Sequence, residues 1–170
     1  MNVESLFLKF SVDKLRQLAE RIETCLGKLN EEQIWARGGE NENAIGNLVL
    51  HLTGNVRQWI VSTLGNNPSP RDRDREFNAR TGPPAAELTR TLRDTVEQAA
   101  QVISRLDTER LTRTYDIQNY LVSGVDAVYH VVEHFSEHTG QIIFATKMLT
   151  GSDLGFYAHL RNSGKSEQVP

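Results

Sequence analysis

The sequence predicts an all-α protein, an up-down-type four-helix bundle with long connections. Four long stretches repeat apolar residues at spacings of three and four, the period of one helical face. Two extended breaks divide those stretches, and no internal repeat or low-complexity segment interrupts them. At 170 residues and 38% hydrophobic, the chain has the length of one domain and can bury a sizeable core without disulfide or metal support.

The first helix is expected from Val3 to Leu29, with Phe7, Phe10, Leu15, Leu18, Ile22, Leu26 and Leu29 as its stripe. Lys14, Arg16, Glu20 and Glu23 fall on its other faces. Gly38-Gly39 breaks the pattern, and Asn43 is the expected N-cap of a second helix from Ala44 to Leu64. Its apolar face is Ile45, Leu48, Val49, Leu52, Val56, Trp59 and Ile60. Gly65 to Pro84 contains Pro68, Pro70, Pro83 and Pro84 and the run RDRDRE, so it reads as a long loop.

The third helix is expected from Ala85 to Leu106, with Leu88, Leu92, Val96, Ala99, Val102, Ile103 and Leu106 facing inward. A second connection runs from Asp107 to Gly124. Ser-Gly-Val-Asp at Ser123 gives a capping-box-like opening for the fourth helix, which continues to Thr150 and stops at Gly151. Residues 1–150 are thus expected to form the bundle. Residues 151–170 form a partly flexible C-terminal extension, with a short turn or helix around Asp153 to Leu160.

A net charge of −3 lacks the positive excess that binding along a nucleic-acid backbone requires. Charges interrupt every helical segment well short of the roughly 20 apolar residues that span a bilayer, which argues against a membrane. The single Cys25 has no internal disulfide partner and lies on the first helix's apolar stripe, so it reads as a small core residue. With no secretory signal pattern at the N-terminus, a cytoplasmic location is expected.

The chemistry-bearing pattern is His130-Val-Val-Glu-His134-Phe-Ser-Glu-His138 on the fourth helix. Side chains four apart on a helix share a face, with Cβ atoms about 5–6 Å apart, so two imidazoles can ligate one ion. Three in a row cannot, because the outer two are two turns apart. His138 borders Val131, Phe135 and Ile142, whereas His130 sits among Asp126, Glu133 and Glu137. The favoured pair is therefore His134 with His138, and His130 is left as a supporting or surface residue.

A third ligand has to come from another helix, and His51 stands at the edge of the second helix's apolar face beside Asn47, Gly54, Asn55 and Gln58. Taken singly, each of these histidines could equally be a hydrogen-bonded structural residue. His134-Phe-Ser-Glu137-His138 also fits H-x-x-E-H, an inverted zinc-peptidase signature. That reading lacks a downstream carboxylate ligand, since the only later glutamate is Glu167 in the tail. Glu137 is kept as a candidate to assist a reaction nearby.

The segments NAIGNLVLHLTGNVRQWI and HVVEHFSEHTGQII resemble the DinB-like superfamily of four-helix metalloproteins, which includes YfiT-type hydrolase-like proteins and thiol-dependent S-transferases. The resemblance covers residues 3–150 and implies that His51, His134 and His138 share a divalent metal ion, zinc or nickel above all. Three neutral imidazoles bind either ion, so the ligand set leaves its identity open. Thr139 stands where the family often has arginine. The resemblance further implies a homodimer and a metal-dependent transferase using a low-molecular-weight thiol, such as bacillithiol or mycothiol, against an electrophile. A hydrolase at the same site and a metal-binding stress-response protein without turnover are the alternatives.

Other residues read more plainly. The run Arg71-Asp72-Arg73-Asp74-Arg75-Glu76 is expected to solvate a loop, with one unspecified arginine as a candidate to reach the metal pocket. Trp59 is expected in the core, Trp35 in the core or lining a pocket, and His159 outside the ligand set.

Overall fold

A computed structural model describes residues 2–158 of the chain. His159, Glu167 and the tail expected beyond Leu160 lie outside the described residues. The fold is mostly helical, with one small hairpin, in the order α1 (Val3–Leu26), α2 (Glu31–Trp35), α3 (Ile45–Val56), a π-helical segment (Arg57–Leu64), α4 (Arg73–Asn78), α5 (Ala85–Ile103), α6 (Thr108–Thr112), β1 (Thr114–Ile117), β2 (Tyr120–Ser123) and α7 (Gly124–Thr150).

The long helices enclose one apolar core: α1 packs on α5 and α7, and α3 packs on the same two. In α1 the buried face is Leu8, Val12, Leu15, Leu18, Ile22, Cys25 and Leu26, and Phe10, expected on the stripe, is 47% exposed. The reason is rotation. Leu8, Ser11 and Leu15 fix the inward direction, and Phe10 falls off that line at 100° per residue. The helix stops at Leu26, and Asn30 starts α2 through a capping box with Gln33, a short helix absent from the sequence expectation.

Asn43 is not the N-cap of α3. Ala44 holds that position, and Asn47 folds back to accept a hydrogen bond from the Ala44 amide at 3.1 Å. Beyond Val56 the helix widens: the Gly65 amide donates to the Ile60 carbonyl at 2.7 Å and Asn67 to Ser62 at 3.2 Å, each five residues back. The wider turn brings Trp59, Ile60, Val61 and Leu64 all to the buried side. Such turns often lie at functional sites.

Both connections contain structure that hydrophobic periodicity did not show. The loop from Gly65 to Pro84 includes α4, started by Asp72, whose carboxylate accepts from the Arg75 amide at 2.9 Å. The connection from Asp107 to Gly124 includes α6 and an antiparallel hairpin pairing Thr114 with Ser123 and Ile117 with Tyr120. Gln118 and Asn119 form its turn at φ 55° and 66°, the left-handed pair that matches strand twist. The start of α7 follows expectation, with Ser123 and Asp126 capping each other, and Gly151 at φ 64° ends it. Among the described residues no helix is long and apolar enough to cross a membrane.

Candidate metal centre

Helix α3 delivers His51 from the core side, where only 4% of the residue is exposed. Helix α7 delivers His134 and His138, half-buried and one turn apart. One ligating atom from each of the three residues lies within 4.8 Å of the others, so the group could hold a metal ion. The Nε2 atoms of His51 and His134 are 2.8 Å apart. The three rings meet nearly edge to face, at 78°, 88° and 80°.

His130 stays out of this group, as its place on α7 implied. Its ring lies 4.0 Å from that of Trp59 and stacks at 5.4 Å on His134, bracing that imidazole from one side. Glu137 is 66% exposed, with its carboxylate 3.9 Å from His134 Nδ1, the nitrogen opposite the one facing His51. Thr139 is buried and donates its hydroxyl to the Phe135 carbonyl at 2.7 Å.

The outer nitrogens of two of the rings are held. Gln141, the glutamine of the His-Thr-Gly-Gln segment, offers Oε1 to His138 Nδ1 at 2.8 Å. That bond places the proton on Nδ1 and leaves Nε2 with its lone pair. His51 Nδ1 lies 3.1 Å from Glu76 Oε2 and 3.1 Å from Arg71 Nη2. Arg71 grips both oxygens of Glu76, each at 2.8 Å, and its third nitrogen donates to Gln58 Oε1 at 2.9 Å. Gln118, from the hairpin turn, donates to the same Gln58 oxygen at 2.6 Å.

This support corrects the solvated-loop reading at Arg71 and Glu76 only: Asp72, Arg73, Asp74 and Arg75 are exposed as expected, and Arg71 is an arginine of the run that reaches the pocket. The Arg71 and Glu76 side chains are only 7% and 11% exposed, because their charges neutralise each other against α3. Gly54 makes the docking feasible: a Cβ there would stand 2.0 Å from Glu76 Oε1 and 2.8 Å from Arg71 Nε. Arg37 and Asn47 fasten the far end of α4, Arg37 by donating to Asn47 Oδ1 and to the Phe77 and Ala79 carbonyls, Asn47 by donating to the Glu76 and Ala79 carbonyls. Glu76 and its clamp were missed in the sequence. Their only signal was an acid among alternating charges, and its burial depends on how the loop returns to α3.

Burial disfavours the protonated form of His51 and His134. It pushes His134 down to about 3, helped by the neighbouring histidines and Arg71, and it lowers His51 against the opposing pull of Glu76. Burial alone would raise Glu76, but the hydrogen bonds from Arg71 and His51 outweigh it and keep the carboxylate ionised below its ordinary range. Neutral imidazoles converging beside a fixed carboxylate are the protonation pattern that a divalent ion requires. Nitrogens bound to tetrahedral zinc at about 2.0–2.1 Å stand roughly 3.3 Å apart, so small ring shifts fit these donors to an ion.

Beside the histidines opens a cleft of about 440 Å³, walled by Trp59 and Asn55 on one side and by Tyr120 and Val122 of the hairpin on the other. Trp59 is core, as expected, yet its edge reaches this cleft. Trp35 is partly buried, its ring wedged between Gly46 and Gly82, where a Cβ would stand 2.8 Å and 2.4 Å from it. Cys25 is fully buried with its thiol pushed up by desolvation, in keeping with a core role.

Comparison with known proteins agrees with this architecture. Residues 2–162 match the model of a family described as "Protein of unknown function (DUF1572)". A conserved protein from Enterococcus faecalis superposes with a TM-score of 0.72 at 15% identity, covering 89% of this chain and 99% of that one. A DinB-like protein from Bacillus cereus gives 0.65 at 14% identity, covering 82% and 90%. No curated protein sequence matches the chain. At such identities the structural likeness concerns the fold, while the family match spans nearly the whole sequence. The chain belongs to the DUF1572 family and has the fold of the DinB-like proteins that its two histidine segments resemble.

Proposed function

We propose that this protein is a four-helix-bundle metalloprotein that binds one divalent ion, zinc or nickel, through His51, His134 and His138, and that it transfers a small thiol onto an electrophile. The observation carrying the proposal is the convergence of one buried and two half-buried histidines from two helices beside a cleft large enough for a small substrate. A divalent ion held there supplies positive charge that lowers the pKa of a coordinated thiol or water. The protein's own residues do the rest. Glu76, clamped by Arg71, orients His51; Gln141 orients His138; the cleft between Trp59 and the hairpin receives the reactants.

The resemblance favours thiol over water as the activated group, and hydrolysis is the outcome that the assay must separate. The test is metal analysis of the purified protein, followed by conjugation of low-molecular-weight thiols to a panel of electrophiles. Activity that requires metal and disappears in His134→Ala supports the proposal. Turnover of esters or amides without thiol would replace it with a hydrolase, and stoichiometric metal without any turnover would leave a binding protein. We further propose a homodimer, because Tyr129, Phe144 and Met148 lie 59%, 67% and 72% exposed along α7, an apolar surface suited to a second copy. Light scattering of the intact chain checks this.

A further inference from the structure

A second cavity backs onto the Arg71–Glu76 pair. It measures about 600 Å³ and opens between α3 with its π continuation, α5 and the loop that carries α4. Arg71 is the one residue that lines both this cavity and the histidine cleft. Helical direction separates the two: His51, Asn55 and Trp59 share the cleft face, whereas Leu50, Gly54 and Arg57 lie on the neighbouring face and line the cavity.

The cavity's cations are unequally partnered. Arg71 is neutralised by Glu76. Arg57 is partly buried yet forms no ion pair: its Nη2 donates to Thr95 Oγ1 at 3.1 Å, and its other two nitrogens make no hydrogen bond among the described residues. Neither of those nitrogens is sealed inside the protein, so a ligand can reach them. Arg75 lines the cavity from α4, exposed and without a carboxylate partner among the described residues. The hydroxyls of Ser69 and Thr91, also on the wall, make no hydrogen bond there and are not sealed either. Apart from Glu76, the one acid on the wall is Asp72, whose Oδ1 accepts from the Arg75 amide. Taking a guanidinium partly out of water without a counter-charge is unfavourable, and a glutamine would bond Thr95 without that cost.

We propose that this cavity binds a small oxyanion, a phosphate or carboxylate group, with Arg57 as its principal anchor. The N–H groups of Arg57 that Thr95 leaves free donate to the anion in a charge-assisted contact. Arg75 adds positive charge from the rim, and the Ser69 and Thr91 hydroxyls donate to further oxygens. None of the three histidines lines the cavity, so the site stands independently of the metal and thiol reading.

The test is isothermal calorimetry on the purified full chain with two probes, inorganic phosphate and succinate, at an ionic strength held constant with sodium chloride. The probe that binds more tightly tells a phosphate ligand from a carboxylate one. Arg57→Gln keeps an amide to bond Thr95 and is expected to weaken the better probe by about tenfold. Arg75→Gln, at an exposed position, should cost about two- to threefold. Asp72→Asn preserves a good cap for α4 while removing negative charge from the wall, so it should tighten binding by about two- to threefold. A purely structural role for these residues predicts no such gain. Melting gives a second readout: phosphate should raise the Tm of the wild-type chain and leave that of Arg57→Gln unmoved. His134→Ala should bind both probes as the wild-type chain does. Binding of neither probe, equal binding by wild type and Arg57→Gln, or no gain in Asp72→Asn would overturn the proposal. Loss of binding in His134→Ala would also overturn it, by assigning the anion to the histidine cleft.

Discussion

The contact of α1 with α5 and the contact of α3 with α7 are built on opposite principles. Between α1 and α5 the interior is aliphatic, with Leu15, Leu18, Ile22, Leu88, Leu92 and Val96 buried, and charged residues such as Arg16 and Glu97 pair at the rim at 2.7 Å. Between α3 and α7 the interior contains imidazoles, an arginine–glutamate pair, a π-helical continuation and polar atoms without partners. The first arrangement is what the hydrophobic effect selects for stability alone. The second departs from that pattern repeatedly within one small volume, and such departures concentrate where a protein does chemistry.

If the two regions divide stability and function in this way, substitutions should separate them. Leu92→Ala removes a fully packed side chain on the aliphatic side and should destabilise the fold by about 2–5 kcal/mol. Chemical denaturation measures that loss, and metal stoichiometry of the folded fraction should stay unchanged. Glu76→Gln acts on the other side. It leaves Arg71 without its counter-charge and His51 without its carboxylate partner, and divalent-ion affinity should fall about 10–100-fold. Competition with a chelator reads the change. An unchanged affinity would mean that His51 is oriented by packing against Phe77, whose ring lies 4.5 Å away, and that the clamp serves only to close the loop.

The same division explains what was legible in the sequence. Aliphatic helices announce themselves by period, so α5 and α7 were placed nearly to their ends, and α1 lost only its final turn and the exposed Phe10. The histidines were legible because four-residue spacing and the core-facing side of α7 are helical properties. Glu76, Arg71 and Gln58 were not, because a charge run looks the same whether water or a glycine notch on another helix receives it. Short elements hid for a related reason. Helices α2, α4 and α6 and the hairpin are too brief for a periodic signal, and their marks were single capping residues, Asn30, Asp72 and Asp107.

Acid should reveal the contrast most gently. His51, His130 and His134 all have their protonation disfavoured by burial in the folded chain, so the unfolded chain binds more protons once pH falls below the ordinary histidine value near 6.5. Stability of the metal-free protein is therefore complete above that value and declines as pH drops below it, continuing toward about 3 for His134. Glu76 adds to the decline at lower pH, since a carboxylate held below its ordinary range stabilises only while ionised. Melting curves of metal-free protein from pH 7.5 to pH 4.5 should show a falling Tm. In His134→Ala the slope should be shallower, because one of the groups that resists protonation is gone. An equal slope in the two proteins would place the acid sensitivity elsewhere, in the exposed ion pairs that α1 makes with α5, and the α3–α7 contact would lose its distinction.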